Sequence, residues 1–386
     1  MNVYFDNGAT TMPLEGAVLA VQDVCNDVYG NPSSVHKMGF YAEKKITEAR
    51  EIIAKTLKVD KKEIVFTSGG TESNNMALNG IARANIRRGK HIITTKYEHA
   101  SVYNPLINLE ESGYEVTYVD VDDMGHINLD MLKKSLRKDT ILVSVMMVNN
   151  EIGSVNDIKA VSDIVKSFNK QIYIHVDAIQ AYGKFRIFPE KLGIDLLSVS
   201  AHKIHGIKGC GFIYIKDKTK IKPLIYGGGQ EKNLRSGTEN VPGIVALSYA
   251  ADYMYKNIDT HVEHLYQLKS HFINKIKTID GTIINAVSDD IRSTAPHIVS
   301  VSFEGIKSEV LLHALEEKGI YVSAGSACSS NHPAISGTLK AIGVKKELLD
   351  STLRFSFSIL NTISEVNYCI ETLEELLPTL RRFYKK

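Results

Sequence analysis

One pattern recurs along the first half of the chain and limits the folds open to it. A short apolar, β-branched run is followed by a polar turn and then by a helical pattern. Such runs occur at residues 64–67, 91–95, 140–148, 172–176 and 196–200. Strands that alternate with helices usually form a largely parallel sheet with both faces covered. The sequence therefore predicts an α/β fold.

The pattern changes after about Asn257. Helical patterns and strand-like pieces follow at residues 262–278, 298–303, 308–318, 353–357 and 364–382. This mixture predicts a smaller α+β domain with a mixed sheet. We expect a large domain at 14–257 and a small domain made of 1–13 and 258–386.

The bulk composition excludes several classes of protein. The 386 residues suggest two domains, and the net charge of +2 is too small to indicate a nucleic-acid or membrane partner. The longest apolar run, at 141–148, is far shorter than the roughly 20 residues of a membrane helix. With no signal peptide at the start, a cytoplasmic location is expected. Four cysteines in such a chain do not predict a disulfide framework, so any functionally important cysteine is expected to be a reactive thiol.

Polar residues of chemical interest follow each of the five predicted strands. In parallel sheets, ligands bind beyond the carboxyl ends of the strands. Lys203 follows the run at 196–200, and Asp177 follows the run at 172–176. The sequence therefore predicts that these residues converge on one site.

Lys203 and Asp177 suit a pyridoxal 5'-phosphate site. A lysine just past a buried strand loses solvation, which lowers its pKa and makes the amine nucleophilic. A carboxylate can keep the pyridinium nitrogen protonated, and Gln180 lies close enough to hydrogen-bond the ring oxygen. The alternatives are a surface lysine in a turn and an aspartate that caps a helix.

Two further segments could complete such a site. Gly69, Gly70 and Thr71 precede a predicted helix at 77–88, whose N-terminal N–H groups favour a phosphate. The alternative is an ordinary turn. His99 lies at a strand-to-helix junction, where an imidazole could stack on a flat cofactor and exchange protons. The alternative is a structural histidine.

The second half of the chain contributes a thiol and a guanidinium group. Cys328 lies among small residues, which favours an exposed loop and a thiol that can ionise. The other cysteines, Cys25, Cys210 and Cys369, are expected to serve packing. Arg354 lies within an apolar strand, where it suits a substrate carboxylate or a structural ion pair.

Together these segments resemble the NifS/IscS-type cysteine desulfurases of the class V aminotransferase family. The resemblance runs nearly end to end and includes the motifs YFDNGATT, GNPSSVH, SGGTESNN, EHAS, NNEIG, HVDAIQ, SAHKIHGIKG, RSGTENV, SAGSACSS and LRFS. It implies the aspartate aminotransferase-like fold of pyridoxal-phosphate-dependent transferases, with a mostly parallel seven-stranded sheet. Gly8 departs from the alanine expected at that position.

The resemblance implies a role for each matched residue. Lys203 would carry the cofactor, with Asp177 on the ring nitrogen, Gln180 on the ring oxygen and His99 stacked on the ring. The phosphate would be held by Gly70, Thr71, Ser200, His202 and Thr238, the last from the other subunit of a homodimer. Asn150 and Arg354 would bind the substrate carboxylate. No metal site is expected.

The implied reaction converts L-cysteine to L-alanine and leaves the sulfur on Cys328 as a persulfide. Lys203 would move the proton, with His99 assisting. The persulfide would pass to an acceptor protein, a scaffold or a tRNA-thiolation enzyme, for iron–sulfur clusters, thiolated tRNA or thiamine. A selenocysteine lyase, another class V enzyme and a non-catalytic scaffold are the alternatives.

Overall fold

The computed structural model describes residues 1–324 and 336–384, and strands and helices alternate through it. The strands are β1 (Val3–Tyr4), β2 (Ile64–Thr67), β3 (His91–Thr95), β4 (Glu115–Val119), β5 (Thr140–Met146), β6 (Tyr173–Asp177), β7 (Leu196–Ser200), β8 (Gly211–Ile215), β9 (Thr282–Asn285), β10 (Ile298–Phe303), β11 (Ile320–Tyr321), β12 (Ser323–Ala324) and β13 (Thr352–Ser356). The helices are α1 (Glu15–Asp27), α2 (Lys37–Leu57), α3 (Gly70–Asn85), α4 (Ala100–Glu111), α5 (Leu129–Ser135), α6 (Ile158–Phe168), α7 (Pro189–Leu192), α8 (Val241–Lys256), α9 (Ile258–Ile276), α10 (Ser308–Glu317), α11 (Gly337–Ala341) and α12 (Ile363–Tyr384).

The largest sheet within the described residues has seven strands in the order β2-β8-β7-β6-β5-β3-β4. The pairs from β7 through β4 are parallel, whereas β8 is antiparallel to both of its neighbours. Because β2 and β7 both run opposite to β8, they point the same way. The predicted mostly parallel sheet is confirmed, and the carboxyl ends of β2, β3, β5, β6 and β7 lie at one edge.

Both faces of this sheet are buried, which explains why its strands are apolar without alternation. Successive side chains of a strand point to opposite faces. Ile93 and Leu197 therefore pack in a core with residues of α2, α6 and α8. Their neighbours Ile92 and Leu196 pack in a separate core with residues of α3 and α4.

A second layer of structure is built around its own core. An antiparallel sheet in the order β12-β13-β10-β9 packs with α9, α10 and α12. The start of the chain joins this layer, since β1 pairs with β11. Phe5 lies in the same core, with its ring edge-on to Phe357 at 5.0 Å.

Two local predictions differ from the structure. The strand expected at 140–148 ends at Met146, because the chain then turns back and Val148 bridges to Val155. The helix expected at 77–88 runs from Gly70 to Asn85, so it begins directly at the glycine pair. In the described part of the chain, no helix is long and apolar enough to cross a membrane.

Candidate active site

A cavity of about 210 Å³ lies at the carboxyl ends of the parallel strands. Arg354 of β13 also lines it, so both layers of the molecule contribute. The sequence-predicted residues that line the cavity are Gly70, Thr71, His99, Asn150, Asp177, Gln180, Ser200, His202, Lys203 and Arg354. The predicted convergence of strand ends on one site is therefore confirmed.

Asp177 is the last residue of β6 and is buried. Its Oδ2 accepts a hydrogen bond from Asn74 Nδ2 at 2.8 Å, and its Oδ1 accepts one from the Ile179 N–H at 3.0 Å. No helix begins there; turns follow, so the carboxylate caps a turn rather than a helix. Burial raises the pKa of Asp177, and a cationic group in the cavity would restore the ionised form.

Lys203 ends a single 3₁₀ turn directly after β7, and its side chain reaches the cavity. The Nζ donates to the carbonyl oxygens of Gly8 and Ala9, each at 2.7 Å. Behind it, the buried Lys184 Nζ donates to the Lys203 carbonyl oxygen at 2.8 Å. Burial lowers the pKa of Lys184 to about 7, so this amine is only about half protonated near neutral pH.

Gln180 lies in the turn after β6 and is buried. Its Nε2 donates to the Gly8 carbonyl oxygen at 2.9 Å, and its Oε1 lies 3.1 Å from His297 Nε2. The side-chain NH₂ group is thus on the side of Gly8 and the cavity. This places a hydrogen-bond donor near Lys203 and Asp177.

The other end of the cavity suits an anion. Gly69 has a φ of 149°, which L residues rarely adopt, and it turns the chain from β2 into α3. The N-terminal N–H groups of this 16-residue helix favour negative charge. Ser200 and His202 approach from the end of β7, and burial lowers the pKa of His202 to about 4.

His99 is the N-cap residue of α4. Its Nδ1 accepts a hydrogen bond from the Ser101 N–H at 3.1 Å and lies 2.8 Å from Ser101 Oγ. Burial lowers the pKa of His99, while the nearby Asp177 opposes this effect. A neutral imidazole therefore lines the cavity near neutral pH.

Arg354 is buried and engages both an ion pair and a loop carbonyl. One terminal nitrogen, Nη2, lies 2.8 Å from Asp6 Oδ1, and the other, Nη1, donates to the Asn150 carbonyl oxygen at 2.8 Å. Its Nε is buried and has no hydrogen-bond partner within the described residues. Arg354 therefore forms the structural ion pair that the sequence offered as the alternative to substrate binding. Its Nε is a further donor.

One predicted site residue lies away from the cavity, and another is outside the part of the chain that the structure describes. Thr238 is exposed and does not line the cavity of its own chain. Its loop is held by ion pairs of Arg50 with Glu231 and of Arg235 with Glu72, each shorter than 3 Å. Cys328 lies outside the described residues. Of the other cysteines, Cys25 is exposed, whereas Cys210 and Cys369 are buried.

Sequence reasoning missed several residues that support the site. Asn74 and Ser101 lie within the motifs SGGTESNN and EHAS, which also contain Gly70 and His99. Their position in these motifs is a sequence signal for a role in the site. The carbonyl oxygen of Gly8 contacts Lys203 and Gln180, yet a backbone atom leaves no mark in a sequence. His297 and Lys184 have no local signal, because their importance follows from long-range packing.

Comparisons with known proteins agree along almost the whole chain. The model of the family "Aminotransferase class-V" matches residues 3–369. The "Cysteine desulfurase IscS" of Dictyoglomus turgidum is 43% identical over 380 residues, which are 98% of this chain and 95% of that protein. The "Cysteine desulfurase, mitochondrial" of Candida albicans is 41% identical over 384 residues, which are 98% of this chain and 78% of that protein.

Solved structures share the fold. A protein described as "NIFS-LIKE PROTEIN" superimposes with a TM-score of 0.93 at 39% identity, covering 98% of this chain and 100% of that one. A structure described as "SspA in complex with cysteine" gives a TM-score of 0.82 at 32% identity, covering 93% and 100% of the two chains. With a family model and relatives that span nearly its full length, the chain belongs to the class-V aminotransferase family.

Proposed function

We propose that this chain is a cysteine desulfurase that converts L-cysteine to L-alanine and transfers the sulfur to Cys328 as a persulfide. The observation that carries the proposal is one cavity with the amine of Lys203, the buried carboxylate of Asp177 and the guanidinium of Arg354. The names of relatives that match over nearly the full length support it. The structure described with bound cysteine supports this amino acid as the substrate.

The donor set of the cavity fits pyridoxal 5'-phosphate. Asp177 is a buried acid that needs a cation, which the protonated ring nitrogen would provide. Gln180 offers an amide donor to the ring oxygen, and Lys203 offers the amine for covalent attachment. The phosphate would be held by Gly70, Thr71, Ser200 and His202. When bound, the cofactor supplies an electron sink for the cleavage of bonds at the substrate α-carbon.

Arg354 and Asn150 bind the substrate. The guanidinium group of Arg354, which lines the cavity, provides a charge-assisted hydrogen bond to the cysteine carboxylate. Asp6 and the Asn150 carbonyl oxygen hold the guanidinium group, so its orientation is fixed before the substrate arrives. This contact orients the α-carbon toward the Lys203 amine, which moves the α-proton.

Cys328 accepts the sulfur. Its thiolate attacks the substrate sulfur, so an S–S bond forms as the C–S bond breaks. The electron pair of the broken bond remains with the carbon skeleton, which takes up a proton and leaves as alanine. The persulfide then passes to an acceptor protein.

A homodimer completes the site. Large apolar side chains are exposed on three helices that pack together, α1, α2 and α8; they include Leu19, Phe40 and Tyr249. Burial of this surface against a second copy accounts for these residues. It also lets the exposed Thr238 hold the phosphate of the partner's site. Replacement of Phe40 by Asp is expected to give a monomer in sedimentation that binds the cofactor weakly.

The function is tested by measuring sulfide and alanine from L-cysteine and a reductant. We expect equal amounts of both from the wild type. Cys328→Ala should lose both products while it keeps the absorption spectrum of the bound cofactor. Cys25→Ala removes an exposed cysteine of α1 and serves as the matched control with unchanged activity.

Two results would contradict the proposal. If Cys328→Ala forms alanine from L-cysteine at the rate of the wild type, the thiol is not the sulfur acceptor. If the wild type binds the cofactor but forms no alanine from L-cysteine, the substrate is another amino acid, and selenocysteine is the first to test.

A further inference from the structure

A chain of hydrogen bonds connects Asp177 to His99. Asn74 Nδ2 donates to Asp177 Oδ2 at 2.8 Å and to Ser101 Oγ at 2.9 Å. Ser101 Oγ in turn lies 2.8 Å from His99 Nδ1. Asn74 is fully buried and Ser101 is 6% exposed, so bulk water competes little for these bonds. The chain joins β6 to the first turns of α3 and α4.

The backbone of α4 determines which ring nitrogen of His99 carries a proton. The Ser101 N–H donates to His99 Nδ1, and a backbone N–H can only donate. His99 Nδ1 therefore presents its lone pair to the helix. Since a neutral imidazole has one N–H, that hydrogen is on Nε2, at the opposite side of the ring.

The side chains of Asn74 and Ser101 support the same arrangement. Asn74 presents its NH₂ group to Asp177 Oδ2, which is the arrangement that an ionised Asp177 requires, since its oxygens can then only accept. The second hydrogen of that NH₂ group points to Ser101 Oγ. The hydroxyl hydrogen of Ser101 is then directed to His99 Nδ1, so this atom accepts from both the backbone and the side chain of Ser101.

We propose that Ser101 and Asn74 are positioning residues that hold His99 as the neutral Nε2–H tautomer and couple its orientation to Asp177. His99, which lines the cavity, then carries its one N–H on Nε2, so this nitrogen is a donor and not a base. The proton transfers fall to the Lys203 amine. The assignment of the proton transfers to Lys203 rests on the proposed function, whereas the tautomer of His99 follows from the contacts alone.

The charges around His99 also affect the protonation of its imidazole ring. Asp177 of β6 favours the imidazolium, whereas Lys203 after β7 and Arg354 of β13 oppose it. The N-terminus of α4 carries partial positive charge and also opposes it. Protonation at Nδ1 would in addition break the hydrogen bond from the Ser101 N–H and reverse the one with Ser101 Oγ. The geometry and these charges therefore favour the same neutral form.

The test is the titration of the His99 ring nitrogens by NMR. The protein is labelled with ¹⁵N-histidine and recorded with and without pyridoxal 5'-phosphate, and His99→Gln identifies the signal among the 13 histidines. The wild type should show Nε2–H and an unprotonated Nδ1 at neutral pH. Ser101→Ala removes one donor to Nδ1, so the midpoint of the His99 titration should rise by roughly one pH unit.

Two control variants separate this effect from a general disturbance of α4. Ser101→Thr keeps the hydroxyl and should titrate like the wild type. Ser112→Ala removes an exposed hydroxyl at the other end of the same helix and should also leave His99 unchanged. In the active enzyme, the acidic limb of the pH profile of alanine formation should shift in Ser101→Ala by the same amount as the NMR midpoint.

Two outcomes would overturn the inference. A wild-type spectrum with Nδ1–H, or with an imidazolium at neutral pH, would contradict the assigned tautomer, and it needs no variant to fold. A titration of Ser101→Ala that matches the wild type would refute the role of Ser101. Because the spectrum is also recorded without cofactor, a failure of the desulfurase assay leaves this test intact.

Discussion

His297 Nε2 lies 3.1 Å from Gln180 Oε1, and both side chains are buried. An amide oxygen only accepts, so His297 must donate from Nε2. The amide of Gln180 is thereby held with its NH₂ group toward Gly8 and the cavity. His297 thus determines which end of Gln180 a ligand meets.

Removal of this donor should weaken cofactor binding. In His297→Leu the amide of Gln180 can turn its oxygen to the cavity. This oxygen would then face the ring oxygen of the cofactor, and both atoms are acceptors. We expect the Kd for pyridoxal 5'-phosphate to rise about tenfold, since an unsatisfied buried polar group costs about 1–3 kcal/mol. The Kd is measured by titration of the visible absorption of the bound cofactor.

A double variant tests whether His297 acts through Gln180. The Kd of Gln180→Ala combined with His297→Leu should equal that of Gln180→Ala alone. The matched control is His313→Leu, at a histidine whose side chain is 72% exposed. Additive effects of the two substitutions would show that His297 acts by another route.

The carboxylate of Asp177 should be essential for turnover. Asp177→Asn keeps the shape of the side chain but cannot balance a protonated ring nitrogen. We expect alanine formation to fall roughly 100-fold or more, the usual loss when one electrostatic partner of a reacting group is removed. The rate is measured at saturating cofactor, with the exposed Asp163→Asn as the control. A rate above half that of the wild type would contradict this role.

The sequence predicts those residues of the site that directly follow a strand. Lys203, Asp177, His99 and the glycine pair each follow an apolar run, and parallel strands bring such ends to one edge. The premature end of β5 at Met146 was not predictable, because Val148 is drawn into a bridge with Val155. The domain boundaries at 14–257 and 258–386 stay a prediction.

Long-range contacts are the part that the sequence does not reveal. Gln180 and His297 are 117 residues apart, and Lys203 is 195 residues from Gly8, whose carbonyl oxygen it contacts. No periodicity or motif connects positions so distant along the chain. The contacts of the Gly8 carbonyl oxygen are therefore not predictable from the sequence, although Gly8 itself departs from the expected alanine. The roles of Cys328 and Thr238 stay predictions as well.

The guanidinium of Arg354 should matter chiefly for substrate affinity. Arg354→Lys keeps a positive charge but loses the planar group whose two terminal nitrogens contact Asp6 and the Asn150 carbonyl oxygen. We expect KM for L-cysteine to rise about 10- to 100-fold, as hydrogen bonds to charged groups contribute about 1.5–3 kcal/mol. Arg381→Lys, at an arginine that binds three backbone carbonyls, is the matched control. An unchanged KM would place the carboxylate elsewhere.

Lys269 should make the stability of the protein depend on pH. It lies on α9, is 2% exposed, and donates to Thr294 Oγ1 and the Ala295 carbonyl oxygen. A neutral amine has two hydrogens, which suffice for these two bonds. Burial lowers the pKa of Lys269 to about 7, whereas an unfolded lysine titrates near ~10.4. Between these pH values the unfolded chain binds a proton that the folded chain does not.

The free energy of unfolding should therefore rise with pH from about 7 to 10, by up to about 1.4 kcal/mol per pH unit for this lysine. Lys269→Met removes the titrating group and should flatten this rise, although Lys184, whose pKa burial also lowers to about 7, keeps part of it. The measurement is urea unfolding at pH 7 and pH 9. Lys275→Met replaces an exposed lysine of the same helix and should retain the wild-type slope. Equal slopes for Lys269→Met and Lys275→Met would mean that Lys269 stays protonated in the folded protein.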